Sequence, residues 1–437
     1  MGLDLFSSKK PKPRDTDVSL VDVRREHKPK MVFSSSINCP LLHIFIVVSF
    51  VSTINSLETP NQESINQTLR SEQELQNLKK TIATRLRQIN KPGVKTIQVP
   101  NGDIIDCVLI HKQLAFDHPL LKGQTPMDLP KSPREHNQFD NMSDFQLWSL
   151  SGESCPDGTV PIRRVTEQDI LRAHSINSFG TKAGNRFLHE HAVALVEKDE
   201  FFGAQATFNV WSPYLESQNE FSLSQMWLVS GTFGKDLNSI EVGWHVYPRL
   251  YGDNRPRFFI YWTADAYQST GCHNLLCPGF VHTNKNFPIG AELPKHSTYT
   301  GQQFSITFKI SKDKNTGNWL LEDGAGNLIG YWPAPLFTRL KYHADEVHFG
   351  GEIVNAKSRG SHTSTAMGSG HFPEEGFGKA AFIRNMQVID SDNNLISLAN
   401  PTYLASNPNC YSIQGKSSPN WGNHIYYGGP GKSEKCP

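Results

Sequence analysis

Beyond residue 190 the chain is a succession of short strand-forming runs separated by Gly, Asn and Pro turns, with no helical period between them. The runs fall at 205–211, 224–232, 240–247, 257–263, 279–282, 303–311, 319–322, 328–332, 346–354 and 380–390. Runs of this length cannot enclose a core singly, so the pattern predicts an all-β antiparallel sandwich of the jelly-roll kind. The chain ahead of them is different. Leu69, Leu75, Leu78, Ile82, Leu86 and Ile89 recur at near-helical spacing and stop before Pro92-Gly93. Residues 97–110 read as two strands around Asn101-Gly102, a hairpin signal. Thr166 then caps a weak helix over 164–176. A chain of 437 residues has room for both parts. We expect a small mixed α/β unit over 57–181 and a β-sandwich over 182–437, with Lys182 and Arg186 offering an exposed cleavage site at the junction.

Residues 41–51 form the longest apolar run, too short for the roughly 20 residues of a spanning helix and followed by small and polar residues. That predicts a secretory signal peptide removed near Ser56, so that 1–56 comprises an N-terminal extension plus signal, with Met31 as a conventional start. A secreted protein with no lasting membrane anchor is the expectation. Of seven cysteines, Cys39 leaves with the signal, and an even number in an exported chain favours disulfides. Cys272 and Cys277 would close a tight loop, Cys410 and Cys436 could staple the tail, and Cys107 with Cys155 is left by elimination. Asn66 and Asn141 begin N-glycosylation sequons. A net charge of +1 gives no reason to expect nucleic acid, and monomer is the default. No cofactor or metal is expected.

Two carboxylates stand out within the strand-rich part. In 239–246, Ile240, Val242, Trp244 and Val246 alternate, which puts Glu241 and Gly243 on the opposite face. In 347–355, Val347, Phe349 and Ile353 share one face, leaving His348, Gly350 and Glu352 on the other. An acid beside a position without a side chain can meet a ligand backbone unobstructed. Two such acids across a groove would make hydrolytic machinery.

These residues lie within a longer resemblance. The stretches 155–164 (Cys-Pro-Asp-Gly-Thr-Val-Pro-Ile-Arg-Arg), 241–244 (Glu-Val-Gly-Trp), 250–253 (Leu-Tyr-Gly-Asp), 349–352 (Phe-Gly-Gly-Glu), 367–372 (Met-Gly-Ser-Gly-His-Phe) and 426–431 (Tyr-Tyr-Gly-Gly-Pro-Gly) resemble those of the plant neprosin family. Residues 115–121 resemble its activation peptide. The resemblance implies a secreted zymogen whose β-sandwich is a glutamic peptidase cleaving at proline. It implies Glu241 and Glu352 as the catalytic pair and Cys272–Cys277 and Cys410–Cys436 as disulfides.

Two close carboxylates titrate as a unit, and the singly protonated pair offers a base and an acid together. Activity is therefore expected to be greatest below neutral pH. Gln225, Trp227, Tyr261 and Asp265 are candidate groove residues for a proline-containing substrate, beside Gly243 and Gly350. His189-Glu-His191 resembles a ligand pair but lacks a third partner and reads as surface. Neither His-Glu-x-x-His nor Gly-x-Ser-x-Gly occurs, which argues against a zincin or an α/β-hydrolase. A glycoside hydrolase using the same acids on a jelly roll, or an inert cell-wall binding module, are the rival readings. The N-terminal unit is expected to inhibit the groove until acid and cleavage near 180–186 release it, with Asp117 and His118 as groups that change charge.

Overall fold

The computed structural model describes residues 62–126, 152–173, 175–182, 188–357 and 361–437. The signal segment, Asn141 and Arg186 lie outside the described residues; Asn66 falls within the first helix. Among the described residues no helix is long and apolar enough to cross a membrane.

The N-terminal part begins with α1 (Gln62–Ile89), which ends where Pro92 follows. A three-stranded antiparallel sheet comes next, β1 (Gly93–Gln98), β2 (Ile104–Leu109) and β3 (Thr159–Arg163). The Asn101-Gly102 turn joins its first two strands, Gly102 taking φ +94°. Helix α2 (Glu167–Arg172) is stopped at its start by a capping box, in which Thr166 and Asp169 satisfy each other's backbone N–H.

The remainder folds into two sheets. One runs β16 (Thr402–Ala405), β4 (Leu188–Phe201), β13 (Ala344–Asn355), β6 (Ser222–Ser230), β7 (Asn238–Val246) and β8 (Arg257–Thr263). The other runs β17 (Ser412–Ser418), β18 (Gly422–Gly428), β14 (Ala381–Ile389), β5 (Gly203–Asn209), β10 (Ser305–Lys312), β11 (Trp319–Asp323), β12 (Leu328–Trp332) and β9 (Val281–His282), with β15 (Leu395–Ser397) paired to β14. All these strand pairings are antiparallel, and Trp244, Phe258, Phe308, Trp319 and Phe349 fill the interior between the sheets without exposure. The predicted β-sandwich is therefore the fold. Each of the ten expected runs became a strand, while β4 and the four C-terminal strands β15 to β18 had not been anticipated. The other side of the six-stranded sheet also carries buried apolar groups, among them Leu223, Trp227, Phe259 and Tyr261.

The N-terminal part packs on the sandwich. Ile82, Ile89, Leu114, Val165, Ile170 and Phe179 share a cluster with Leu250 and Tyr251. Asp103 reaches across to Arg257 at 2.7 Å, and Arg163 at 2.8 Å holds the same carboxylate. Burial alone would raise the Asp103 pKa, but the two guanidinium groups outweigh it and the group is held below the carboxylate range.

All three cysteine pairs are bonded: Cys107–Cys155, Cys272–Cys277 and Cys410–Cys436.

Candidate active site

Register decides how the two glutamates meet. Strand β6 lies between their strands, with Glu352 opposite Leu223 and Glu241 opposite Trp227. The row between holds Gly350, Gln225 and Gly243 side by side. With glycine on either side of Gln225, the two carboxylates can lean into that row from diagonal corners.

They converge on a third group. Lys182 Nζ donates to Glu241 Oε2 at 2.6 Å and lies 3.9 Å from Glu352 Oε2. Its ammonium also sits 5.1 Å from the ring centres of Tyr261 and Tyr267. Burial would strip the proton from this lysine, but the two carboxylates reverse that and hold its pKa well above the ordinary value. The sequence had offered Lys182 as an exposed cleavage point; its side chain is instead buried against the acids. The segment bearing it is tied down by His273, whose backbone N–H donates to Gly180 O at 2.8 Å. The Lys182 N–H donates to Tyr261 Oη at 3.2 Å.

The two acids have different surroundings. Glu241 is fully buried and accepts from Tyr267 Oη at 2.8 Å and Ser239 Oγ at 2.9 Å. Glu352, 2 % exposed, has His189 Nδ1 at 2.5 Å, His191 Nε2 at 3.9 Å and Gln225 Nε2 at 3.5 Å. Burial would raise the Glu352 pKa; Lys182 first, then the imidazoles, pull it far below the carboxylate range. Opposite this pair a cavity of about 930 Å³ is lined by Lys182, His189, His191, Trp227, Tyr261, Tyr267 and Glu352.

The other sequence candidates separate here. Gln225, Trp227 and Tyr261 stand on the same face as the acids. Asp265 turns into its own loop and accepts from Ser269, Thr270 and Thr263, which organises the segment that delivers Tyr267. The glycines serve the sheet before any ligand: a Cβ on Gly243 would stand 1.9 Å from Ser224 O, and one on Gly350 2.2 Å from Ala192 O. Asp117 is bound to Lys91, and His118 lies edge-on to Trp262, which points into the core on the opposite face from the glutamates. His189 and His191, read from sequence as surface, belong to β4 and stand beside Glu352, since β4 pairs with β13 and brings His191 opposite that acid. The apolar run over 192–196 was the available signal for β4, and the alternation of 239–246 already put Ser239 on the face of Glu241; Lys182 and Tyr267 had none. His362, Cys410 and Cys436 could hold a metal by proximity, but the two sulfurs are bonded to each other and the imidazole is engaged by Glu190 at 2.9 Å.

Residues 218–430 match the family model Neprosin, and residues 96–205 match the model Neprosin activation peptide. The chain belongs to the neprosin family. The activation-peptide match runs through β4, a strand of the sandwich itself. Among solved structures the chain is similar to a scytalido-glutamic peptidase with a transition state analog inhibitor, at 12 % identity over 56 % of this chain and 99 % of that one, TM-score 0.32. SCP-B, a member of the eqolisin family of peptidases in complex with the tripeptide Ala-Ile-His, matches at 13 % identity over 56 % and 99 %, TM-score 0.29. A toad ovary galectin with thio-digalactose matches at 9 % identity over 38 % and 96 %, TM-score 0.20.

Proposed function

We propose that this neprosin-family protein is the precursor of a secreted glutamic endopeptidase that cuts at proline in acid, with Glu241 and Glu352 as the catalytic pair. Its activation-peptide match supports the precursor reading. One observation carries the catalytic reading: two buried carboxylates from separate strands converge on one ammonium donated by the segment just ahead of β4. Take the ammonium away and the two buried carboxylates that lay within 3.9 Å of it lose the charge between them, a setting that favours one proton shared by the pair. The ionised member draws a proton from water, which attacks the scissile carbonyl carbon. The protonated member gives its proton to the oxyanion or to the departing nitrogen, and the C–N bond breaks. The flat faces of Trp227, Tyr261 and Tyr267 around the cavity suit a pyrrolidine ring.

Lys182 fills the place of substrate and water, and this is how the N-terminal part would hold the enzyme inactive. Acid and cleavage after the occluding segment would free it. The test is an acid-activated assay on a proline-containing peptide and on plant polysaccharides, with Glu241→Gln and Glu352→Gln beside the unmodified chain. Peptide cleavage lost in both variants is the expected result. Glycan cleavage would replace the peptidase with a glycosidase, and binding without turnover would make the protein a binding module.

A further inference from the structure

Glu352 has a partner that the scheme above leaves idle. His189 Nδ1 lies 2.5 Å from Glu352 Oε1, and its ring is braced edge-on by Phe221 at 5.9 Å between centroids. The His189 side chain keeps 29 % of its exposure, so it can exchange protons with solvent while the carboxylate it holds is buried. The pairing is set by strand register: β4 places His189 opposite Val354 and His191 opposite Glu352, on the face that bears the acid.

The other ionisable groups facing Glu352 come from every neighbouring element. They are Lys182 from the occluding segment, His191 from β4, His348 from β13, Glu241 and His245 from β7, and His273 and Tyr267 from the loop after β8. The His191 pKa is lowered, desolvation of its ring by the surrounding side chains outweighing the pull of Glu352 although its outer edge stays open, and burial drives His273 down to about 3. His348 is engaged by Glu346 at 2.8 Å. Once Lys182 leaves, Glu241 keeps two neutral hydroxyl donors, whereas Glu352 keeps an imidazole in direct contact.

We propose that His189 is a positioning residue for hydrolysis, orienting Glu352 as a carboxylate and so making Glu352 the base and Glu241 the proton-bearing acid. The proposal rests on the reading of these two glutamates as the catalytic pair. The mechanism is electrostatic. Imidazole gains a proton as pH falls, and a cation in contact with a carboxylate keeps it ionised to lower pH. Removing His189 raises the Glu352 pKa, so the acid limb of the rate profile, where the base becomes protonated, moves to higher pH.

The experiment measures kcat and KM from pH 2 to 8 on a proline-containing peptide, using the full-length chain activated identically, for the unmodified protein, His189→Ala, His189→Asn and Glu352→Gln. In His189→Ala we expect the acid limb to rise by about one pH unit and kcat to fall about tenfold, with KM within about twofold. In His189→Asn, which restores a neutral donor, kcat should recover to within about threefold on the plateau while the limb stays displaced. Thermal unfolding of both variants separates a folding defect from a kinetic one, and His189→Asn carries the test if the alanine variant does not fold. An unmoved acid limb in a folded His189 variant, with Glu352→Gln inactive, overturns the proposal and leaves the peptidase reading intact. Full activity in Glu352→Gln overturns that reading instead.

Discussion

At the scale of single residues, Lys182 is the group that links the two acids in this structure. Its ammonium is buried against two carboxylates, and losing one partner of a buried ion pair costs about 3–5 kcal/mol. Lys182→Met should therefore loosen the occluding segment by about that amount and leave one glutamate free to take a proton. The expected outcome is an unprocessed precursor that cleaves peptide at a substantial fraction of the processed rate, read by a fluorogenic proline peptide at acid pH. A precursor as silent as the unmodified one would show that Lys182 does not hold it inactive. Gly243 makes a structural prediction. A methyl there meets Ser224 O at 1.9 Å, so Gly243→Ala must part β6 from β7 and should cost about 1–3 kcal/mol or more by chemical denaturation. The two acids were legible because alternation assigns faces, and so were Gln225, Trp227 and Tyr261. Lys182 was legible only as a basic residue in a linker, and nothing local says that a linker lysine will be buried.

At the scale of elements, the hairpin β1–β2 and the occluding segment are held to the sandwich by groups with opposite responses to acid. Asp103 on the hairpin turn is ionised and clamped by Arg257. Asp103→Asn should weaken this docking by about 3–5 kcal/mol, because Arg257 stays buried with one carboxylate fewer; faster hydrogen exchange in β1–β3 would register it. His273 beneath Gly180 and His282, whose backbone N–H and C=O pair with the Gln113 amide, behave differently. Burial pushes them down to about 3 and about 4, so both are neutral when the N-terminal part is docked. An imidazole opened to water by release of that part titrates closer to ~6.5. The released state then binds more protons below that value, and docking weakens progressively as pH falls from about 6.5 toward 3–4. Protease susceptibility of residues 175–188 should rise over that window, and His273→Gln, which cannot titrate, should flatten the rise. Asp117 and His118 had been expected to sense acid; the His273 imidazole is a further candidate, its Nδ1 lying 3.1 Å from Gly180 O.

At the scale of the whole molecule, the N-terminal part and the sandwich form one packed body held together by apolar contacts and buried ion pairs, with one disulfide inside the former and two inside the latter. Cys107–Cys155 joins the hairpin to the residues ahead of β3, across 48 positions of sequence. Cys107→Ser with Cys155→Ser should destabilise the N-terminal part by about 2–4 kcal/mol and shorten the time to acid activation, followed as the lag before peptide cleavage. By itself the sequence determined most of the sandwich strands, though not β4 or the last four, together with the faces their residues take, the hairpin and the caps. Each of these follows from periodicity or turn chemistry within about ten residues. What only the tertiary structure decided is which strands became neighbours, and with that the setting of the acids. The pairing of β4 with β13 put His189 on Glu352, and the path before β4 put an ammonium between two carboxylates. Strand pairing joins positions more than a hundred residues apart, and a local repeat carries no record of which partner a strand will find.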